Sequence, residues 1–292
     1  MTTTASRQRT LTAASRQRAL WIVKYALLTL FAIPWVVVPL WLMVVNSFKT
    51  LNEATSLSIG LPKQWALVEN YSTVIERGNY LTGLRNSLLI TLPTILIVLL
   101  LGSLAAWAYA RSRSMPLKVA YYITTLSILL PPALLPTIFE LKLMHLDATR
   151  IGYLLVIVGT RLGGIIFLTT GFVRTLPIDF EEAATIDGAS KVQVYWHMLL
   201  PLMAPTLFVG AILLMIGVWN EFFFASFLMP KNEQATLPLA LFRFSTTGAQ
   251  FAGMNWNLIF AHVVLTSLPI MIVYLIGQGR IVSGLAAGGV KG

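Results

Sequence analysis

The stretch "EEAATIDGASKVQVYWHMLLP", residues 181–201, lies between two runs of membrane-length hydrophobicity and carries an acidic start, a glycine and a second amphipathic run. Pro177 suits a first helical turn, and Asp179, Glu181 and Glu182 favour the positive end of a helix dipole. Gly188 supplies a stop, because glycine adopts the left-handed conformation that ends helices. Ser190 can cap a second helix in which Val192, Tyr195, Trp196 and Leu199 recur at i, i+3, i+4 and i+7 as one apolar stripe. The stretch therefore reads as helix, glycine turn, helix. Small side chains at Ala183, Ala184 and Ala189 allow a partner surface to approach closely. A hairpin packed on its own membrane surface satisfies the same physics.

Outward from this stretch the chain is oil. It is 57% hydrophobic and 11% charged, against about 25% charged residues in ordinary soluble domains. An all-α integral membrane protein follows, because a helix satisfies its own backbone inside a bilayer. Six segments reach the roughly 20 residues that cross a bilayer core, near 25–45, 87–110, 119–138, 151–173, 205–228 and 257–277. The absence of cysteine excludes disulfides and thiolate metal sites, and the three histidines lie far apart. No GxxxxGK[ST] occurs, so the chain builds no phosphate-cradling loop of that type.

Charge sets the expected topology. Twelve Lys/Arg fall in the N-terminal tail, loop 111–118, loop 174–198 and the C-terminal tail, and eight in the longer loops on the other side. Lys and Arg collect on the cytoplasmic face, so both termini are expected there. The net charge of +10 then reflects topology rather than a nucleic-acid surface. The basic stretch 1–24 holds "ASRQR" twice and reads as a cytoplasmic flank or an anionic-lipid tether. The apolar run after it exceeds the 7–15 residues typical of a cleaved signal, which predicts a retained helix over 25–45. The expected order continues with an external loop 46–81 without regular periodicity, a core domain 82–278 and a glycine-rich cytoplasmic tail 279–292.

Two details of the core are legible. "LLPPALLPT", residues 129–137, places prolines near the outer end of the third segment and predicts a break there. The loop "MPKNEQATLPLALFRFSTTGAQFAGMNW", residues 229–256, is too apolar for a solvated linker. It either forms an external partner surface or folds against its own membrane domain.

Beyond these patterns, "EAATIDGA", residues 182–189, followed by eight residues and "MLLP", residues 198–201, resembles the EAA motif of type I ABC importer permeases. Met198 stands where that pattern has isoleucine. "RNSLLITLP" at 85–93 and "LAAWAYAR" at 104–111 resemble the start of that family's core domain. "WNEF" at 219–222 and "SGLAAGGVKG" at 283–292 are similar to MalG-type permease subunits of carbohydrate importers. The resemblance implies a type I permease fold, with the 174–201 loop as an EAA coupling helix seated on a cytoplasmic ATPase. Glu182, Ala183, Ala184, Asp187, Gly188, Ala189, Met198 and Pro201 are then its coupling residues. It implies no cofactor in this chain, with ATP and Mg²⁺ held by a dimer of partner ATPase subunits. A second permease subunit and an external solute-binding protein complete the implied assembly, and a saccharide is its cargo. Gly288, Gly289 and Lys291 are expected to meet the ATPase subunits.

Arg161 and Glu221 are the charges that fall inside the expected spans. A central charge costs about 2.5–3.5 kcal/mol on insertion scales, so each is expected to face protein or water. They lie roughly 15 Å and 10 Å deep, counted from Ile151 and Leu228, which a long arginine can bridge. They read as an internal ion pair or, with Asn220, as part of a translocation path in which Arg161 meets the carboxylate of an acidic sugar such as an oligouronide. An ion-coupled secondary transporter and a non-transport membrane scaffold are the competing functions.

Overall fold

A computed structural model describes residues 20–289 apart from 131 and 253, with the side chains of 247–252 and 280–289 outside the described set. Regular structure among the described residues is helical, apart from one isolated bridge between Lys49 and Trp65. The helices used below are α1 (Leu20–Ser47), α2 (Leu67–Arg77), α3 (Tyr80–Arg111), α4 (Met115–Leu126), α5 (Leu134–Leu143) and α6 (Arg150–Val173). They continue as α7 (Asp179–Ile186), α8 (Lys191–Trp219), α9 (Phe223–Leu228), α10 (Leu237–Ala252) and α11 (Trp256–Gly289).

Five of these helices are long and apolar enough to cross a membrane: α1, α3, α6, α8 and α11. The span expected at 119–138 is divided into α4 and α5, neither of which reaches 18 residues. Proline explains the division. Ala133 leaves the helix with extended ψ, and Pro136 falls in the first turn of α5, where its missing N–H costs no helical bond.

Helix α3 sorts its side chains in the membrane sense, polar and small inward, leucine outward. Gly83, Asn86, Ser87, Thr91, Thr94, Gly102 and Ser103 are buried, whereas Leu81, Leu92, Leu96 and Leu101 are exposed. Lipid is as apolar as leucine, so close packing and interhelical hydrogen bonds hold such helices together. Ile165 of α6 is the shared contact of three helices. An added Cβ at Gly102 of α3 would meet its Cγ2 at 2.8 Å, and one at Gly210 of α8 would meet its Cδ1 at 3.0 Å. At 32 residues α3 is about 48 Å long and protrudes beyond a ~30 Å hydrocarbon core.

The segment 46–81 is ordered despite its lack of periodicity, because side-chain bonds rather than a hydrophobic stripe organise it. Lys49, 1% exposed, donates to Asn46 Oδ1 at 3.1 Å, Ser58 O at 2.6 Å and Ser58 Oγ at 2.9 Å. Burial lowers the pKa of its ammonium, with Glu53 acting in the opposite direction. Asn70 of α2 holds the carbonyls of Ser47 and Lys49 at 2.9 Å, and Asn257 of α11 donates to Asn70 Oδ1 at 2.8 Å. The segment is thereby tied to both α1 and α11.

The apolar loop 229–256 packs on its own domain. Met229, Ala235, Leu237, Leu239 and Ala240 are buried, and Asn86 of α3 donates to Glu233 O and Ala235 O. Arg150 joins the same knot through Asn86 Oδ1 at 3.1 Å and Glu233 O at 2.8 Å.

Two expectations are corrected. The fifth span was placed at 205–228, but α8 begins at Lys191 and ends at Trp219, followed by the separate short helix α9. The second amphipathic helix of the 174–201 loop is therefore the start of α8. The glycine-rich end was expected as a tail separate from the last span, yet α11 continues through it to Gly289. Ala286 and Ala287 extend a helix already propagating from Trp256, which costs far less than nucleating one.

Candidate functional site

The 174–201 segment is built by local signals. Asp179, Glu181 and Glu182 occupy the first turn of α7. Its end closes with Ala189 N–H on Ala184 O at 3.0 Å, and Gly188 takes φ +85°. Ser190 caps α8 by accepting from Gln193 N–H at 3.3 Å, while Gln193 Oε1 accepts from Ser190 N–H at 2.8 Å. The chain reverses within a few residues and leaves one face of α7 free.

The motif residues divide between two faces. Ala184, Ala189 and Met198 lie half-buried against Val173, Val194, Tyr195, Leu199 and Met203. Glu182, Ala183, Asp187, Gly188 and Pro201 are exposed. Ile186, 85% exposed, stands out from α7 with Phe180 and Ile178 as an uncovered apolar surface.

The apolar stripe expected at Val192, Tyr195, Trp196 and Leu199 is only half right. Tyr195 and Leu199 are buried, but Val192 and Trp196 are exposed. Val194 rather than Val192 joins the buried face, and the helix makes a wide turn over Tyr195–Leu199, where Leu200 N–H bonds to Tyr195 O, five residues back. That turn brings the period close to four, so Tyr195, Leu199 and Met203 face inward together.

Sequence reading missed the attachment of this segment to α3. Glu181 Oε1 accepts from Arg111 Nε at 2.7 Å, and its Oε2 accepts from Trp107 Nε1 at 2.8 Å. Arg111 also holds Leu176 O at 3.0 Å. Trp107 stacks on Tyr195 at 6.0 Å, and the Tyr195 hydroxyl meets Ser103 Oγ at 2.8 Å. "LAAWAYAR" supplies two of these residues, but nothing local in it indicates a partner.

Deeper in the bundle, Arg161 Nη2 donates to Gly217 O at 3.0 Å and lies 4.0 Å from Glu221 Oε2. Its guanidinium lies over Gly217, where an added Cβ would be 3.6 Å from Cζ. Glu221 sits in the break between α8 and α9, and its Oε1 accepts from Phe224 N–H at 2.7 Å. It thus caps α9 as well as facing Arg161. Asn220, exposed, points elsewhere. It lines a cleft of about 480 Å³ between α8, α10 and α11, together with Phe222, Phe242, Ser245 and Ser267. Neither Arg161 nor Glu221 lines that cleft. Gly288 and Gly289 lie at the end of α11, and Lys291 falls outside the described residues. No cluster of three or more His, Asp or Glu that could hold a metal occurs among the described residues.

A bundle of membrane-length helices with a folded-back α7 latched to α3 at one end defines a polytopic membrane protein. The family described as "Binding-protein-dependent transport system inner membrane component" matches residues 10–286, and the chain belongs to it. It is 32% identical over 255 residues to a "Probable starch degradation products transport system permease protein" of Thermoanaerobacterium thermosulfurigenes, covering 87% of this chain and 91% of that protein. It is 30% identical over 278 residues to a "Diacetylchitobiose uptake system permease protein" of Streptomyces coelicolor, covering 94% and 91%. In fold it is similar to a chain from the crystal structure of a bacterial ABC transporter that imports the acidic polysaccharide alginate. That match has a TM-score of 0.78 and 23% identity, and covers 90% of this chain and 97% of the other.

Proposed function

We propose that the chain is one of two permease subunits of a saccharide importer that is driven by ATP hydrolysis in partner ATPase subunits. The observation that carries this reading is the construction of α7. Its inner face is fixed to α3 and α8, while Glu182, Ala183, Asp187 and the apolar Ile186 are left uncovered. A helix held rigidly on one side and exposed on the other transmits a displacement from whatever grips it. Grip comes from a cytoplasmic ATPase dimer, which binds ATP and Mg²⁺, and motion passes into α3 through Glu181. Both termini then lie in the cytoplasm, and α4 and α5 together make the sixth crossing. An external binding protein delivers cargo at the face formed by 46–81 and 229–256, and the end of α11 near Gly288 and Gly289 lies toward the ATPase.

A saccharide cargo is supported by relatives named for starch degradation products and diacetylchitobiose. The Arg161 geometry favours the internal pair over contact with an acidic sugar, since Gly217 O and Glu221 already face the guanidinium. The test is uptake of labelled sugar into vesicles containing the purified complex. ATP inside the vesicle-equivalent cytoplasmic face should be necessary for it, and an ion gradient should not replace ATP. Uptake driven by the gradient alone would make the chain a secondary transporter. Absence of uptake under every condition would leave a scaffold.

A further inference from the structure

The cleft between α8, α10 and α11 has a lining unlike a lipid-facing surface. Phe222 and Phe242 meet edge to face at 4.9 Å and form one wall, and Phe242 remains 48% exposed. Asn220, Ser245 and Ser267 place polar groups around it, and no charged side chain lines it. Its volume of about 480 Å³ falls within the range of about 300–1,000 Å³ found for small-molecule pockets. Along α11 the lining runs from Ile259 to Ser267, between roughly 4 Å and 17 Å from the helix start, the outer half of a bilayer in the proposed orientation.

The hydrogen bonds decide what the cleft offers. Ser245 Oγ donates to Phe242 O at 2.8 Å, and Ser267 Oγ donates to Val263 O at 2.8 Å. Both hydroxyl protons are thus engaged by their own helices, and what remains is lone pairs. Asn220 Nδ2 likewise donates to Ile216 O at 2.9 Å, which leaves Oδ1 without a partner among the described residues. The wall therefore presents mainly acceptors. Sugar hydroxyls are donors and match them, while the C–H face of a pyranose matches an aromatic ring. A carboxylate would bring acceptors against acceptors with no cation in the lining. Arg243, next to Phe242 in sequence, lines a separate cavity and donates to Met229 O at 2.6 Å and Asn232 Oδ1 at 3.0 Å.

We infer that this cleft is a subsite for one ring of a neutral saccharide, stacked on Phe242 with its hydroxyls donated to Asn220, Ser245 and Ser267. This rests on the saccharide-importer reading and narrows it to uncharged cargo, unlike the acidic polysaccharide of the importer that shares the fold. The experiment uses the assembled transporter with its binding protein in vesicles. Labelled maltotriose, diacetylchitobiose and raffinose are compared with a trimannuronate, each at equal concentration.

One of the neutral sugars should be taken up and the uronate should not. Phe242→Ala should slow that uptake about fivefold to tenfold, the scale of one lost aromatic contact. Phe242→Tyr should retain it, and assembly of the complex should be unchanged in both. Ser245→Asp should slow uptake with assembly intact. Preferred uptake of the uronate overturns the inference. So does unchanged uptake in Phe242→Ala, which would make the cleft a lipid or subunit contact. Failure of every saccharide would defeat the importer reading itself, and the subsite falls with it.

Discussion

Glu181 and Arg111 stand 70 residues apart in sequence and meet at 2.7 Å, at the point where α7 touches the end of α3. Trp107 binds the second oxygen of the same carboxylate, so both oxygens are held and α7 has little freedom to pivot on α3. Both members of the ion pair are mostly covered, at 18% and 14% side-chain exposure. A charged hydrogen bond in such a setting contributes about 1.5–3 kcal/mol. Glu182, the neighbouring acid, makes no comparable contact and faces outward.

Glu181→Ala should therefore detach α7 from α3 while leaving the outward motif residues in place. The expected result is ATP hydrolysis that continues with little sugar transported per ATP, and a stability loss of about 1–3 kcal/mol. Glu181→Gln, which keeps an acceptor for Trp107, should be intermediate. Transport stoichiometry and thermal unfolding measure the two effects, and an unchanged ratio of sugar to ATP would remove the latch from the mechanism.

Gly188 has φ +85° and open space where a side chain would go. The cost of Gly188→Val is thus backbone strain without a clash, on the order of 1–3 kcal/mol. The turn should open and misdirect α7, so that uptake falls while insertion in the membrane persists. Gly188→Asn, better suited to positive φ, should act mildly. Equal uptake in wild type and the valine variant would show that the turn tolerates another path.

Much of this segment was legible because its signals are local. Gly188 and Ser190 each act on residues a few positions away, so their types reveal the turn and the cap. The wide turn at Tyr195–Leu199 was not legible, since periodic reading assumes a regular helix, and Val192 and Trp196 were placed on a face that Val194, Tyr195 and Leu199 occupy instead. Lys49 shows a second limit. A hydropathy window treats lysine as solvated, but this one is buried by carbonyl and hydroxyl acceptors from Asn46 and Ser58. The cleft around Phe242 joins three helices and has no sequence signature. The prolines of 129–137 gave the break but not its consequence, two short helices in place of one span.

Arg161 and Glu221 invite a double-mutant cycle. Arg161→Gln should lower thermal stability by leaving Glu221 without its cation, and Glu221→Gln should do the same to Arg161. The double variant should recover much of the loss, because the glutamine at 221 can still accept from Phe224 N–H and cap α9. Additive losses in the cycle would refute the pairing.

Gly102 tests the meeting point of α3 and α6. Its missing Cβ leaves room for Ile165 Cγ2, which a methyl group would face at 2.8 Å. Gly102→Leu should force the helices apart and cost about 1–3 kcal/mol, with lower yield of assembled complex. Thermal unfolding in detergent reads this directly, and a Tm equal to wild type would show the contact to be slack.

The wide turn in α8 carries a consequence for how length is counted along the chain. Between the cap at Ser190 and the buried Met203, the helix holds one residue more than a regular winding needs. Deleting a single position there would let the helix rewind as a regular one with its two flanks still aligned, whereas the same deletion in a regular stretch would swing everything before it by about 100° and shift it by about 1.5 Å. The first deletion would leave α7 facing as it does, and the second would turn it. The wide turn thus gives the stretch between the motif halves at 182–189 and 198–201 room for one residue more or less without re-aiming α7.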